Sequence, residues 1–341
     1  MSDVDVLLTR FADHAARRRV GVVAGHLAPD GTTTFRGAGR LTPPDGAAPD
    51  AATRFEIASI TKTFTGALLA RAVVTGDVSL DTPVGDLVDE VAGLGRDGVL
   101  VTLRHLATHT SGLPRAHLST LGSTLDVLRG VDPYRDHTEA GLLQAIRAGR
   151  LGRTPGTGRQ AYSNSGFGLL GIALARRAGA PWADVVRERL TVPLGLADTG
   201  TRGAATPDQV ARTAVGYHRR RTPAPDWNLD ALPGAGALLS TAGDQLGWAD
   251  AHLRPPDGEL GAALRLAVAE HAPHIGLAWQ RTWRGDERPA GKDRLLWHSG
   301  GTGGFRSALV LRPDRGDAVV VLTNHSRSLT LATMRLAAAV G

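Results

Sequence analysis

The sequence of 341 residues contains no cysteine, which excludes disulfide bonds, thiol nucleophiles and cysteine-ligated metal centres. Aromatic residues make up only 4%, too few for an evident base-stacking platform. The formal net charge is +6, but the arginines are scattered in short runs, so we expect no nucleic-acid partner. No run approaches the ~20 apolar residues of a membrane span, so we expect no membrane partner.

The N-terminal segment also lacks the basic start and apolar core of a signal peptide. We therefore expect a cytoplasmic protein, unless an export signal has been removed. With 42% hydrophobic and 21% charged residues, the composition is ordinary for a globular protein. The chain is long enough for one large domain or for two closely packed ones. Its oligomeric state stays unknown.

Hydrophobic periodicity predicts helices and strands that are unevenly distributed along the chain. Helical spacing predicts a helix over 3–19, and alternation around a turn predicts a hairpin over 20–27 and 32–36. The further predicted helices cover 59–75, 102–109, 138–149, 166–178, 181–190 and 328–340, and the further predicted strands cover 276–281, 294–298, 305–312 and 318–323.

The strands lie near both ends of the chain, and the middle is predicted to be helical. This order indicates one sheet built from both chain ends, with a helical region inserted between them. We therefore expect an α/β lobe from residues 1–80 and 226–341 and a mainly helical lobe from residues 81–225. Without a low-complexity linker, the two lobes are expected to form one structural unit.

The scarcity of lysine draws attention to the motif Ser59-Ile-Thr-Lys62. Lys62 is one of only two lysines among 39 basic residues, and the spacing allows both motif side chains to share one helix face. A desolvated lysine amine can take the proton of a serine hydroxyl, whereas a guanidinium cannot. The apolar residues that follow predict a buried helix beginning at Ser59, whose N–H groups would favour an oxyanion. The alternative is a surface lysine on a helix capped by Ser59.

A second motif, Tyr162-Ser-Asn164, lies in a Gly/Ser-rich turn before a predicted helix. Tyr162 is one of three tyrosines in the chain. A phenol close to the Lys62 ammonium is expected to have a lowered pKa. Such a tyrosine could carry a proton between Ser59 and a leaving group. The alternative is a tyrosine whose hydroxyl is hydrogen-bonded in the core.

A third motif, His298-Ser299-Gly300-Gly301, lies between two predicted strands. Glycines within strands mark places where a ligand or another backbone approaches closely. An edge strand with accessible N–H groups could bind an extended substrate and donate to an oxyanion. A flexible hairpin turn is the alternative.

Taken together, the motifs occur in the order and rough spacing of one known family: Ser59-x-x-Lys62, Tyr162-x-Asn164 and His298-x-Gly300. The chain resembles the serine β-lactamase and DD-peptidase superfamily, in its class C β-lactamase-like branch. That branch also contains esterases, D-aminopeptidases and acyltransferases. Segments 101–114, 193–199 and 236–244 are similar to further signatures of the branch, and the resemblance covers about residues 20–325.

The resemblance implies an α+β fold in which an antiparallel sheet flanked by helices meets an inserted all-helical lobe, with the site between the lobes. By position it implies that Ser59 is the acylated nucleophile, Lys62 its activator and Tyr162 the partner general base and acid. Asn164 would donate to the substrate amide, and the N–H groups of Ser59 and Gly301 would form an oxyanion hole. Whether Lys62 or Tyr162 takes the first proton stays open. No cofactor is expected.

The third motif departs from the family pattern. β-Lactamases and many DD-peptidases carry Lys-Thr-Gly or a close variant where this chain has His298-Ser299-Gly300. Histidine is only partly charged near neutral pH, which weakens the prediction of an efficient β-lactamase. An ester, amide or peptide substrate is favoured instead. Arg306 could contact a substrate carboxylate if it points inward.

His105 and His109 form an H-x-x-x-H pattern, which on a helix can ligate zinc. Leu106 stands where a zinc peptidase has glutamate, and no third ligand is evident. We therefore expect no metal site.

These observations predict a serine hydrolase that acts on a small ester, amide or peptide through an acyl-Ser59 intermediate. One alternative is a transacylase of small-molecule biosynthesis, in which a bound amine or alcohol attacks the same intermediate. Another is a penicillin-sensing module that is acylated without turnover. The expected partners are a small-molecule acyl donor and water, or an amine or alcohol acceptor.

Overall fold

The computed structural model describes residues 2–116, 130–282 and 293–340. The α-helices are α1 (Asp3–Ala16), α2 (Thr61–Val74), α3 (Leu103–Ala107), α4 (Glu139–Ala148), α5 (Asn164–Ala178), α6 (Trp182–Val186), α7 (Pro207–Ala211), α8 (Pro233–Gly236), α9 (Ala242–Leu253), α10 (Gly258–Val268) and α11 (Thr330–Ala339). The strands are β1 (Gly21–Leu27), β2 (Thr33–Gly39), β3 (Arg54–Glu56), β4 (Gly95–Arg96), β5 (Val99–Leu100), β6 (Gly200–Thr201), β7 (Leu238–Thr241), β8 (Gln280–Arg281), β9 (Leu296–Gly301), β10 (Arg306–Arg312) and β11 (Asp317–Thr323). Short 3₁₀ turns cover Ala58–Ile60, Val84–Asp86, Asp89–Val91 and Arg202–Ala204, and a π-helical turn covers Arg187–Thr191.

Six strands form the main antiparallel sheet, in the order β2-β1-β11-β10-β9-β8. Strands β1 and β2 come from one end of the chain, and the other four strands come from the other end. A mixture of helices and an antiparallel sheet is also the fold class that the sequence predicts.

The central strand β11 is buried on both faces because consecutive apolar side chains alternate between two cores. Val319 and Val321 belong to the core covered by α1 and α11, whereas Val320 and Leu322 belong to the larger core, which includes residues of α2 and α9. The sheet is therefore a middle layer with helices on both faces.

Helix α2 is the buried element that begins next to the candidate nucleophile. The ring of Phe64 stacks on that of Trp248 with centroids 4.0 Å apart. The Trp248 indole N–H donates a 3.0 Å hydrogen bond to the Thr63 hydroxyl. These contacts fix α2 against α9, and they hold the first turn of α2 beside the main sheet.

Several predicted boundaries differ from the structure. The buried helix begins at Thr61 rather than at Ser59, which lies in the preceding 3₁₀ turn. The predicted strand over 276–281 is a strand only at Gln280–Arg281. Helices α9 and α10 have no counterpart among the predicted elements. Among the residues that the structure describes, no helix has the length and apolar character needed to cross a bilayer.

Candidate active site

Ser59 lies in the 3₁₀ turn between β3 and α2, and the turn is held in an unusual conformation. Ala58 has φ +48°, in the left-handed region that alanine seldom adopts. The Ser307 hydroxyl anchors the turn by donating a 2.7 Å hydrogen bond to the Ile57 carbonyl. Ser59 is partly exposed between buried neighbours, so its hydroxyl is displayed to a cavity. Strain of this kind is common at functional sites.

Lys62 is fully buried behind Ser59, with its Nζ atom 3.1 Å from the serine Oγ. The same amine donates to the Asn164 Oδ1 at 2.9 Å and to the Ala235 carbonyl at 2.6 Å. Burial, with a smaller contribution from the charge of Arg115, holds the pKa of Lys62 well below its usual range. A neutral amine has two N–H groups and one lone pair. The two carbonyl oxygens accept both N–H groups, which leaves the lone pair for the Ser59 proton.

Tyr162 contacts the nucleophile from its other side. Its hydroxyl donates a 2.7 Å hydrogen bond to the Ser59 Oγ, and its ring centroid lies 5.0 Å from the Lys62 Nζ. Burial raises the pKa of Tyr162 to about 12, although the Ser59 hydrogen bond and the Arg115 charge oppose the change. The expected lowering of this pKa is therefore wrong. Desolvation outweighs the effect of the nearby cation, and it also disfavours the ammonium form of Lys62.

Asn164 begins helix α5, directly after Tyr162 and Ser163. The Ser163 hydroxyl caps this helix by accepting the Gly166 N–H at 2.9 Å. The Asn164 Oδ1 accepts a hydrogen bond from the Lys62 amine, and the Asn164 Nδ2 donates one to the Tyr134 hydroxyl at 3.2 Å. Asn164 thus connects the buried amine to a tyrosine in the cavity wall.

His298 is buried, and its ring is held by its own strand. The Nδ1 atom lies 3.0 Å from the Ser299 carbonyl, so Nδ1 carries the proton of the neutral ring. Burial, followed by the nearby Lys62, lowers the pKa of His298 to about 3. The third motif therefore presents an uncharged imidazole at neutral pH, rather than the partial charge expected from its sequence.

Strand β9 brings the third motif against the Ser59 turn. Within the described residues, β8 pairs with β9 only at Leu296 and Trp297, so the next four residues form an open edge. A Cβ atom at Gly300 would overlap the Ile57 carbonyl and lie 2.8 Å from the Ser59 nitrogen. Glycine is required here because the two backbones touch. The oxyanion role of the Ser59 and Gly301 N–H groups stays a prediction.

A cavity of about 660 Å³ joins most of the predicted residues. Its wall includes the predicted Ser59, Tyr162, Asn164, His298, Ser299, Gly300, Gly301 and Arg306. It also includes residues that sequence reasoning missed: Arg115, Tyr134, Trp227 and Trp297. The scarcity of aromatic residues could have drawn attention to Tyr134, Trp227 and Trp297. These three residues come from separate segments, however, and only the fold brings them together.

The cavity is cationic. The Arg306 guanidinium donates to the Thr302 carbonyl at 2.5 Å and to the Phe305 carbonyl at 2.6 Å. Arg115 is exposed, with its guanidinium carbon 5.3 Å from the Tyr162 ring centroid. Neither arginine has an acidic partner in the described part of the chain, and no described aspartate or glutamate lines the cavity.

The two histidines of the H-x-x-x-H pattern each hold a backbone amide. The His105 Nδ1 accepts the Thr102 N–H at 3.2 Å and thereby caps α3. His109 lies beyond the end of α3, and its Nδ1 accepts the Ser163 N–H at 3.2 Å. Within residues 2–116, 130–282 and 293–340, no group of three or more histidine, aspartate or glutamate side chains could hold a metal ion.

The chain matches one protein-family model and is similar in sequence to several known proteins. The family model described as Beta-lactamase matches residues 8–340. The D-alanyl-D-alanine-carboxypeptidase/endopeptidase AmpH of Escherichia coli (strain K12) is 28% identical over 339 residues, which cover 94% of this chain and 84% of that protein. Esterase EstB of Burkholderia gladioli is 36% identical over 208 residues, which cover 59% of this chain and 51% of that protein.

Solved structures show the same fold. The class C beta lactamase from Rhodobacter sphaeroides superposes with a TM-score of 0.79 at 24% identity, covering 99% of this chain and 98% of that one. The Beta-Lactamase/D-Alanine Carboxypeptidase from Pseudomonas syringae superposes with a TM-score of 0.83 at 20% identity, with the same coverage of 99% and 98%.

Proposed function

The chain belongs to the Beta-lactamase family and is a serine hydrolase, and from this premise we propose that it cleaves a small anionic ester, amide or peptide through an acyl-Ser59 intermediate. One observation carries the proposal. The Ser59 Oγ contacts both the Lys62 Nζ, at 3.1 Å, and the Tyr162 hydroxyl, at 2.7 Å. The nucleophile thus has an amine whose pKa is lowered by burial on one side and a phenol whose pKa is raised on the other.

In the acylation step that we propose, the Lys62 lone pair takes the Ser59 proton while Oγ attacks the acyl carbonyl carbon. The N–H groups of Ser59 and Gly301 would stabilise the resulting oxyanion. The bond to the leaving group then breaks, and Tyr162 gives that group its proton. The Lys62 ammonium returns a proton to the Tyr162 oxygen, so both groups regain their starting states.

Deacylation would use the same groups with water as the nucleophile. Lys62 takes a proton from a water molecule as the water oxygen attacks the acyl carbonyl carbon. The bond to the Ser59 Oγ breaks, and Oγ receives a proton from Tyr162, which recovers one from Lys62. The products are a carboxylic acid and the free enzyme.

The charge of the cavity supports an anionic substrate. Arg115 and Arg306 line it without an acidic partner in the described residues, whereas Trp227 and Trp297 add apolar surface. A guanidinium binds a carboxylate through paired N–H groups, so a substrate with a free carboxylate fits this wall. The names of AmpH and EstB cover peptide and ester cleavage, and we propose that range for this chain.

A cephalosporin is expected to be a poor substrate. His298 stands where many β-lactamases have lysine, and burial lowers its pKa to about 3. The neutral ring supplies no cation at this position, so the carboxylate of a bicyclic β-lactam would depend on Arg115 or Arg306 elsewhere in the wall. Slow acylation is expected instead of rapid turnover.

The test compares two p-nitrophenyl esters of similar acyl length, the neutral butyrate and the anionic hemisuccinate, by steady-state kinetics and intact-protein mass. We expect a transient acyl adduct with both esters and a kcat/KM at least tenfold higher for the hemisuccinate. Ser59→Ala should form no adduct, and Arg306→Met should lose the preference while still cleaving the butyrate. Equal rates for the two esters would refute the anionic preference. An adduct that persists in Ser59→Ala would refute the nucleophile.

A further inference from the structure

Asp132 joins two segments that each form part of the active-site wall. It is 6% exposed and does not itself belong to the described wall of the cavity. Its Oδ1 atom accepts the Tyr134 N–H at 2.9 Å, and its Oδ2 atom accepts the Asn228 N–H at 2.6 Å. Tyr134 is close to Asp132 in the chain, whereas Asn228 belongs to a distant segment. One carboxylate therefore closes a turn in its own segment and attaches a second segment to it.

Each of the two segments carries an aromatic ring of the wall. Tyr134 follows Asp132 closely, and Trp227 is the neighbour of Asn228. The ring centroids of Tyr134 and Trp227 lie 5.4 Å apart, with an angle of 56° between the ring planes. The Tyr134 hydroxyl accepts a 3.2 Å hydrogen bond from the Asn164 Nδ2. Tyr134 is therefore held by Asn164 at its hydroxyl end and by Asp132 at its backbone end.

The two rings also border a small pocket beside the nucleophile. Ser59, Tyr134 and Trp227 line this pocket, which has a volume of about 30 Å³. Leu229 and Leu232 add apolar surface to it. A pocket of this volume has room for only about two or three atoms of the size of a water molecule, so a small displacement of either ring changes the space by a large fraction. A substrate group beside Ser59 is therefore sensitive to the spacing of the two rings.

Both oxygens of the Asp132 carboxylate are needed for this connection. An asparagine has nearly the same shape, but it offers one acceptor oxygen and an NH₂ group that cannot accept. One of the two backbone N–H groups would then lose its partner. Burial raises the pKa of Asp132, although the Asn228 and Tyr134 N–H groups oppose the change. A carboxylate that is poorly solvated is destabilising unless its hydrogen bonds compensate, and here both bonds go to the segments that it joins.

We propose that Asp132 is a positioning residue for substrate binding, because its carboxylate holds the Tyr134 and Trp227 rings at a fixed spacing beside Ser59. Among the described residues, its side chain accepts hydrogen bonds from backbone N–H groups rather than from the reacting side chains. Its loss should therefore weaken substrate binding while the chemical step stays largely intact. This inference rests on the proposed function, because it requires an ester that acylates Ser59.

The test measures steady-state kinetics with p-nitrophenyl butyrate for the wild type, Asp132→Asn and Asp132→Ala. We expect KM to rise about fivefold or more in Asp132→Ala, an effect of the size of one hydrogen bond, with kcat within about twofold of the wild type. Asp132→Asn keeps one acceptor, so its KM should lie between those of the other two. A purely structural role would instead reduce the amount of folded enzyme, which lowers the apparent kcat and leaves KM unchanged.

Asp244→Asn is the matched control. The Asp244 carboxylate also accepts a backbone N–H, from Asp198 at 2.8 Å, and it accepts the Thr199 hydroxyl at 2.8 Å. Asp244 lines neither the active-site cavity nor the small pocket in the described part of the chain. Its replacement should lower the melting temperature, as that of Asp132 does, while KM stays at the wild-type value.

Trp227→Ala tests whether Asp132 acts through the wall. This variant should raise KM by itself. Adding Asp132→Ala to it should then raise KM by less than in the wild type, because both changes disrupt the same surface. If Asp132→Ala fails to fold, Asp132→Asn decides the question in both backgrounds.

An unchanged KM in both Asp132 variants would overturn the proposal, and so would fully additive effects in the double variant. Failure of the proposed function gives a different result, since p-nitrophenol release by the wild type would then persist in Ser59→Ala.

Discussion

The Tyr162 hydroxyl donates a 2.7 Å hydrogen bond to the Oγ of Ser59, the same atom that lies 3.1 Å from the Lys62 amine. Burial moves the pKa values of the two flanking groups in opposite directions, well below 10.5 for Lys62 and to about 12 for Tyr162. Pairs of titratable groups separated in this way take the acid and base roles of a mechanism. We therefore propose Lys62 as the first base and Tyr162 as the proton donor, a choice that the motifs leave open.

Lys62→Arg should abolish most of the activity although it keeps a positive charge. An arginine cannot lose its proton, so kcat/KM for p-nitrophenyl hemisuccinate should fall by roughly 10²–10⁴-fold, the usual contribution of a general base. In the wild type, acylation should accelerate as the pH rises through the lowered pKa of Lys62 and stay fast until Tyr162 ionises near pH 12. Melting temperatures establish that the variant is folded. Retention of a tenth of the activity by Lys62→Arg would contradict the assignment.

Tyr162→Phe should reveal the proton donor through the choice of leaving group. A p-nitrophenolate departs without a proton, whereas an alkoxide needs one. The variant should therefore lose about 10²–10⁴-fold in kcat/KM on an ethyl ester but much less on the p-nitrophenyl ester of the same acid. Steady-state kinetics with both esters measure the difference. An equal loss on the two esters would show that Tyr162 does not protonate the leaving group.

His298 should make the fold sensitive to acid. Its pKa is about 3 in the folded protein, against ~6.5 in an unfolded chain, so below pH 6.5 the unfolded state binds the extra proton. The free energy of unfolding therefore falls as the pH drops from 6.5 toward 3, by roughly 3 kcal/mol at pH 4. His298→Gln cannot titrate at this position. Acidification from pH 7 to pH 4 should therefore lower its free energy of unfolding by roughly 3 kcal/mol less than it lowers that of the wild type. Urea unfolding at the two pH values measures the difference.

Ser299→Ala is the control for this experiment, because it alters the neighbouring residue without removing a titratable group. Its stability should depend on pH as that of the wild type does. If His298→Gln and the wild type lose equal stability on acidification, the buried histidine is not a source of acid sensitivity.

The sheet and the three motifs could be predicted because their signals are local. Alternation around the turn at 28–31 identifies β1 and β2, and Ser59 and Lys62 are linked by helical spacing alone. Helices α9 and α10 were missed. In α9, polar side chains such as Gln245 and His252 are buried with tertiary partners, which obscures the apolar stripe of a helix. Such partners are not visible in a linear pattern.

The cavity wall and the protonation states could not be predicted for the same reason. Tyr134 and Trp227 are distant in sequence from each other and from Ser59, and only the folded chain brings them into one cavity. The direction of the Tyr162 pKa depends on whether burial or charge dominates. Local sequence indicates the neighbouring charge but not the degree of desolvation, so the opposite direction was expected.

Gly300→Ala should damage the active site through a single methyl group. The added Cβ would overlap the Ile57 carbonyl and lie 2.8 Å from the Ser59 nitrogen, so β9 must move away from the nucleophile turn. We expect a loss of about 1–3 kcal/mol in stability and of roughly 10²-fold or more in kcat, because an oxyanion donor is displaced. Gly200→Ala is the matched control, since its Cβ meets no described atom within 4 Å and should change neither quantity. Full activity in Gly300→Ala would contradict the proposed oxyanion hole, because its two N–H groups would then tolerate separation of β9 from the Ser59 turn.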